Sequence, residues 1–260
     1  MSSCLTIVDA PAAKTMAAFG LGRYEDFLQW RGDAAVSSGR SSRTWRIDLS
    51  ANDGGGSFFL KQYRYRDRAM AARIHRDKAR READNYAAMR RRGIDVPDVV
   101  AFGARRRWGL LQDGFIVTRA VDGAEPLTAY WRQISGDPSA RRELMFRTAR
   151  MVRRMHDSGF FHVDLQWRNL LVSQDGPARP RVVVIDSPRG GVRAWTLGRH
   201  HGRLRDLAGL YKDARRHLGR TELMRWFKAY LGAARLRDEQ RAMARTIIHD
   251  RAIKDAPPGE

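Results

Sequence analysis

Between Phe160 and Gly190 the chain reads FFHVDLQWRNLLVSQDGPARPRVVVIDSPRG, which places His162, Asp164, Asn169 and Asp186 in a fixed order among apolar residues. Phosphoryl transfer from a nucleotide needs a carboxylate that orients the attacking hydroxyl and takes its proton. It also needs hard oxygen ligands for magnesium, commonly an Asp and an Asn side chain. Asp164 suits the base, and Asn169 with Asp186 suits the metal. His162 suits a hydrogen bond that supports the loop. Each of these residues alone could cap a turn or end a strand. The ordered set, H-x-D-x4-N followed by an apolar hairpin and an Asp, is what points to phosphate transfer.

Lys61 gives a second point. It ends the apolar strand Phe58-Phe59-Leu60 in a chain whose only lysines are 14, 61, 78, 212, 228 and 254. A lysine there can reach the α- and β-phosphates of a nucleotide, and it then needs a carboxylate on a neighbouring helix. Glu82 and Asp84 follow on the next helical stretch, and Glu82 is the better placed. The loop SSGRSS, residues 37–42, includes Ser38 and Gly39. It could cover phosphates with backbone N–H groups and hydroxyls, or it could be a plain hairpin turn.

These residues need elements to hold them. Residues 1–22 carry small side chains and read as a loose arm, followed by a short amphipathic helix over 24–30. The stretch from Ala34 to Tyr65 reads as three strands joined at 37–42 and 52–56. A long basic helix is expected over 68–92, with Ala71, Ile74, Ala83, Tyr86, Ala87 and Met89 facing inward. A further strand and a hairpin lead to a boundary near 120. Beyond it, 139–157 is helical, with Leu144, Met145, Thr148, Val152 and Met155 inward and Gly159 as its stop. NLLV and RVVVID read as short strands. Helices are expected over 204–218, 221–234 and 238–250, and the tail DAPPGE should fray. The class is α+β, with an arm and short helix over 1–33, a β-rich part over 34–120 and a mainly helical part over 121–260.

The composition narrows the partners. A formal net charge of +20 and a pI near 11.2 favour polyanions: nucleic acid, anionic headgroups or phosphorylated glycans. Most of that charge is arginine, which suits bidentate phosphate contacts, although an arginine-rich genome would give the same composition. Cys4 is the only cysteine, so no internal disulfide forms and a reducing cytoplasm fits. No secretory signal and no apolar run long enough to span a bilayer is expected.

The stretches HVDLQWRN, VVVIDSPRG, FFLKQY and RDLAGLY resemble the lipopolysaccharide core kinase family, the Kdo/heptose kinases of Gram-negative bacteria. RREADNYAAMRRRGIDVPDVVAFG is similar to the same family, and the likeness runs from about Ser37 to His217. The resemblance implies a two-lobed protein-kinase-like fold with ATP and magnesium between the lobes. It implies that Lys61 holds the phosphates, that Glu82 pairs with it, that Asp164 is the catalytic base, and that Asn169 and Asp186 bind magnesium. It implies that Asp206 holds the catalytic loop from the helix beneath. Arg168 could steady the γ-phosphate or the acceptor, or be structural. Two departures stand out: D-F-G is replaced by Asp186-Ser187-Pro188, and the H-R-D arginine by Val163. An in/out switch and a phosphate-reading activation loop are therefore not expected.

Asp206 follows Asp186 by 20 positions, with no A-P-E-like sequence between them. A peptide platform does not fit there, so a small or glycan hydroxyl is the expected acceptor. A basic chain suits an anionic acceptor such as a sugar of the phosphate-rich lipopolysaccharide core. Aminoglycoside and choline kinases share the same residue logic but usually carry acidic pockets. A non-catalytic kinase-like scaffold that binds polyanions is the remaining alternative, and Lys61, Asp164 and Asp186 all speak against it. Nucleic acid is not the expected partner. Arg64, Arg66, Arg68, Arg73 and Arg76 could face the acceptor or the inner membrane, which would make the protein cytoplasmic with peripheral membrane contact.

Overall fold

The structure is a computed structural model that describes residues 2–32, 34–39, 41–49, 55–65, 77–174 and 180–255. The chain divides into two compact units: residues 1–87 with 97–121, and residues 88–96 with 122–260.

The first unit is built on a six-stranded antiparallel sheet. Its strands are β1 (Ser2–Ile7), β2 (Ala35–Ser38), β3 (Ser42–Leu49), β4 (Gly56–Arg64), β5 (Val99–Arg107) and β6 (Leu110–Arg119), in the order β1-β5-β6-β4-β3-β2. Helices α1 (Ala10–Ala18) and α2 (Tyr24–Gln29) lay Ala12, Met16, Tyr24 and Phe27 against Trp45, Ile47, Phe58, Leu60, Phe115 and Val117. Helix α3 (Lys78–Arg90) follows β4 in chain order.

The expectation of a loose arm over 1–22 is overturned here. Ser2–Ile7 pairs with β5, and α1 starts on an Asp9 cap that accepts from the Ala12 N–H at 3.1 Å, with Pro11 in its first turn. Small residues at this edge let a helix lie close to the sheet. Gly103 shows the tightness on both counts: a Cβ there would meet the Cys4 carbonyl oxygen of the paired strand β1 at 2.5 Å and the Tyr24 ring of α2 at 3.0 Å. In α3, Ala83, Tyr86 and Met89 are buried as expected, while Ala87 is exposed and Ala88 takes the inward position. Ala71 and Ile74 lie outside the described residues.

In the second unit, β7 (Ala124–Pro126), β9 (Leu170–Ser173) and β10 (Arg181–Val184) form a three-stranded sheet in the order β10-β9-β7, and β8 (Phe160–Phe161) pairs with β11 (Gly191–Val192). Its helices are α4 (Leu127–Gln133), α5 (Pro138–Asp157), α6 (Thr196–Ala214), α7 (Arg220–Leu231) and α8 (Asp238–Asp255). Asp137 caps α5 by accepting from Ser139 and Ala140, and Pro138 fills its first turn. Leu144, Met145, Thr148, Val152 and Met155 are buried, and Gly159 follows the helix at φ +80°. Helix α6 begins at Thr196, earlier than the expected 204. Residues 256–260 of the tail lie outside the described residues.

Candidate active site

The second unit holds one cluster of the expected residues. Phe160–Phe161 leads into a loop that ends in a 3-10 turn, Trp167–Asn169, before β9. Val163 sits at φ +71°, a conformation that a β-branched residue adopts only under constraint. The constraint is visible. Asp206, fully buried on α6, accepts the Val163 N–H at 2.6 Å and the His162 N–H at 2.8 Å. His156 Nε2 lies 3.2 Å from the same carboxylate, and His156 Nδ1 lies 2.9 Å from the Tyr230 hydroxyl. A carboxylate only accepts, so the Nε2 of His156 carries the hydrogen that it donates to Asp206. Burial pushes the Tyr230 phenol above its ordinary range.

Asp164 is thereby turned outward. Its side chain is part-exposed and accepts from Gln166 Nε2 at 2.7 Å, with Arg168 Nη2 at 3.9 Å. Asn169 closes the loop by donating its Nδ2–H to the Asp164 carbonyl at 2.8 Å. Its amide oxygen is the end not used in that bond. The Asn169 carbonyl accepts the Ile185 N–H at 3.0 Å, tying the loop to the residue before Asp186. His162 Nε2 lies 3.0 Å from the Ile185 carbonyl, which can only accept, so the ring is protonated there. His162 Nδ1 is buried and, among the described residues, has no hydrogen-bond partner. Asp186 is itself held at φ +58°, half-buried. The structure therefore gathers His162, Asp164 and Asn169 of the loop and Asp206 of α6 into one hydrogen-bonded network, sets Arg168 at 3.9 Å from Asp164, and ties Ile185, next to Asp186, to it.

Glycines on α6 let that helix press on the loop. A Cβ at Gly209 would collide with the Leu165 carbonyl oxygen, and one at Gly202 would meet the Phe161 ring at 2.6 Å. Gly202, Asp206 and Gly209 follow an i, i+4, i+7 spacing and share one face. Asp213, one turn further, accepts the Trp167 N–H at 3.2 Å. The sequence reading singled out Asp206 but missed Gly202, Gly209, Asp213, His156 and Tyr230; the helical spacing around Asp206 was the available signal for the glycines and Asp213.

In the first unit, Lys61 and Glu82 meet. Lys61 Nζ lies 3.2 and 3.3 Å from the two Glu82 oxygens, and Glu82 is 2% exposed. The Tyr86 hydroxyl donates to Glu82 Oε1 at 2.9 Å, and the Tyr63 hydroxyl donates to Oε2. Tyr63 is two positions after Lys61 on one face of β4, and Tyr86 is one helical turn after Glu82. This spacing could have identified both tyrosines as partners of the ion pair. Ser38 and Gly39 lie at the exposed β2–β3 turn, where the Gly39 N–H donates to the Ser42 carbonyl at 2.9 Å. Arg64 is exposed at the end of β4; Arg66, Arg68, Arg73 and Arg76 lie outside the described residues.

Among the described residues no cluster of three or more His, Cys, Asp or Glu is placed to hold a metal unaided. Asn169 and Asp186 are a sparse oxygen set. Such a set fits magnesium, which keeps several waters and takes phosphate oxygens of its substrate. It would not suit zinc, which favours nitrogen and sulfur donors. Separately, the second unit contains an apolar cavity of about 380 Å³ lined by residues that include Leu127, Trp131, Leu144, Tyr211, Phe227 and Ile247. Among the described residues no helix is long and apolar enough to cross a membrane.

Residues 45–230 match the model of the lipopolysaccharide kinase (Kdo/WaaP) family. The chain is 31% identical over 159 residues to a lipopolysaccharide core heptose(I) kinase WaaP of Pseudomonas aeruginosa, covering 58% of this chain and 59% of that protein. It is 28% identical over 234 residues to a WaaP of Escherichia coli, covering 82% and 86%. It is 28% identical over 182 residues to a 3-deoxy-D-manno-octulosonic acid kinase of Xylella fastidiosa, covering 63% and 64%. A solved structure described as WaaP in complex with acyl carrier protein superposes with a TM-score of 0.71 at 24% identity, covering 97% of this chain and all of that one, a likeness of fold.

Proposed function

We propose that this chain, which belongs to the lipopolysaccharide kinase (Kdo/WaaP) family, transfers the γ-phosphoryl group of ATP to a sugar hydroxyl of the lipopolysaccharide inner core. The observation that carries the reading is the loop built on Asp206. It presents Asp164 outward while Asn169 locks that residue's backbone from behind.

In this reading the acceptor oxygen attacks the γ-phosphorus, a new O–P bond forms, and the bond from phosphorus to the β-bridging oxygen breaks. ADP leaves with that electron pair, and the hydroxyl proton passes to Asp164. Arg168, beside Asp164, offers charge to the transferring group or to an acceptor phosphate. Lys61, held by Glu82, Tyr63 and Tyr86, holds the α- and β-phosphates. Asn169 and Asp186 would hold magnesium, which when bound neutralises charge on the phosphate oxygens.

Heptose and Kdo are the two candidate acceptors, since the relatives include a heptose kinase and a Kdo kinase. Incubation with ATP, magnesium and extracted core lipopolysaccharide, followed by mass spectrometry, separates them. A gain of one phosphate on a core sugar is expected and names the acceptor. Transfer to an aminoglycoside or choline instead would move the chain to the small-molecule kinases.

A second reading concerns a partner. The fold neighbour is described in complex with acyl carrier protein, and the apolar cavity of the second unit gives room for an apolar chain. We read acyl carrier protein as a partner of this chain also. Size-exclusion chromatography with acylated and unacylated carrier tests it; a complex with neither contradicts it.

A further inference from the structure

From Ser187 to Arg205 the sequence holds five arginines (189, 193, 199, 203 and 205), two histidines and no Asp or Glu. Within that stretch every residue from Val192 to Leu197 is exposed, with Trp195 at 82%, Leu197 at 85% and Val192 at 53%. A single exposed apolar residue is ordinary on a protein surface. Three of them within six residues, one a tryptophan, form a patch beside a one-signed charge run.

The run is held at both ends. Gly191 pairs with Phe161, and the Arg193 N–H donates to the Gly159 carbonyl at 2.9 Å. Beyond it, Arg199 donates to the Asp157 carbonyl at 3.0 Å and Arg203 lies 3.5 Å from the Asp157 carboxylate. Arg189, Arg193 and Arg205 are exposed. Among the described residues the Trp195 ring has no hydrogen-bond, ring or cation–π partner. Trp108, equally exposed, differs: its own Arg107 guanidinium covers the ring at 4.4 Å, and no second exposed apolar residue adjoins it in the chain.

We propose that the Val192–Leu197 run is a membrane-docking surface that seats the protein on an anionic bilayer. Trp195 and Leu197 enter the interfacial layer, and Arg189, Arg193 and Arg205 meet headgroup phosphates. Tryptophan prefers that depth because its ring is apolar while its N–H needs a polar partner. Stable attachment of a peripheral protein takes two signals, an apolar insertion and a basic patch, and this stretch supplies both. The run begins six positions after Asp186. On the kinase reading above, on which this last step rests, it would bring the phosphate-transfer loop to an acceptor that is itself carried in a lipid layer.

Co-sedimentation with vesicles of phosphatidylcholine, with and without phosphatidylglycerol, tests the proposal without ATP or any acceptor. Its answer therefore does not depend on the reaction. The full chain should bind the anionic vesicles, and the double variant W195A/L197A should bind at least about tenfold less. Both side chains are exposed, so an unchanged melting midpoint is expected and confirms that the variant is folded. Arg193→Gln should weaken binding to the anionic vesicles only. Turnover of W195A/L197A should match the unaltered chain on a delipidated, soluble core oligosaccharide and fall on vesicle-embedded lipopolysaccharide. Equal sedimentation of the double variant and the unaltered chain would overturn the proposal, as would absence of binding by the unaltered chain. An equal loss of turnover on both acceptors would also overturn it, because the run would then touch the sugar rather than the bilayer.

Discussion

Replacing Asp206 by alanine should loosen the loop before it loosens anything else. The carboxylate is fully buried and accepts from three donors: the N–H groups of His162 and Val163 at 2.8 and 2.6 Å, and His156 Nε2 at 3.2 Å. An orphaned buried donor costs about 1–3 kcal/mol. Three donors in one network do not add in full, so about 3–6 kcal/mol is expected for Asp206→Ala. That is a large share of a stability of about 5–15 kcal/mol. Asp206→Asn keeps the shape and one acceptor oxygen but aims an N–H at a donor, so about half that loss is expected. Urea unfolding at fixed pH reads both values, provided the slope is unchanged. Val163 at φ +71° relies on the same bonds. Turnover of Asp206→Asn should therefore fall much more than its affinity for ATP. A stability within about 1 kcal/mol of the unaltered protein for Asp206→Ala, with turnover retained, would refute the reasoning.

Glu82→Gln keeps the volume beside Tyr63 and Tyr86 but takes the counter-charge from a mostly buried Lys61, so the KM for ATP should rise about tenfold or more and the melting midpoint should fall; nucleotide titration and thermal melts check this. Gly209→Ala should cost about 1–3 kcal/mol and lower turnover, because its Cβ presses on the Leu165 carbonyl. Gly191→Ala, which meets nothing within 4 Å, should stay within about 0.5 kcal/mol in the same thermal melts. Burial pushes the Tyr24 phenol far above the ordinary tyrosine value, helped by Asp113, and burial does the same for Tyr230. Both therefore hold their protons more tightly when folded. Their stabilisation is present below about pH 10 and is lost above it as the unfolded chain ionises. Unfolding midpoints measured from pH 8 to pH 11 should fall above about pH 10, and less steeply in Tyr24→Phe.

Period and punctuation made most of the architecture readable. The three strands before Tyr65, the short helix at Tyr24 and the long helix ending before Gly159 stand at or near their expected places. The opening residues read as an arm because many of their side chains are small, although the Asp9 cap and Pro11 signal a helix start. Their fold depends on a distant strand, β5, which no local pattern shows. The six residues from Asp164 to Asn169 are legible as a unit because a loop this short keeps its members together. The supports were not. Tyr230 reaches His156 across 74 positions, and Asp206 reaches His162 across 44. Such contacts are set by helix packing, which sequence spacing alone does not report.

The most direct test of the central claim follows phosphate from labelled ATP and magnesium into core lipopolysaccharide, with the unaltered chain beside Asp164→Asn and Asp186→Ala. Thermal melts confirm that each variant is folded. The account predicts transfer by the unaltered chain and a loss of about 10²–10⁴-fold in Asp164→Asn, with no detectable product from Asp186→Ala. Undiminished transfer by either folded variant would contradict it.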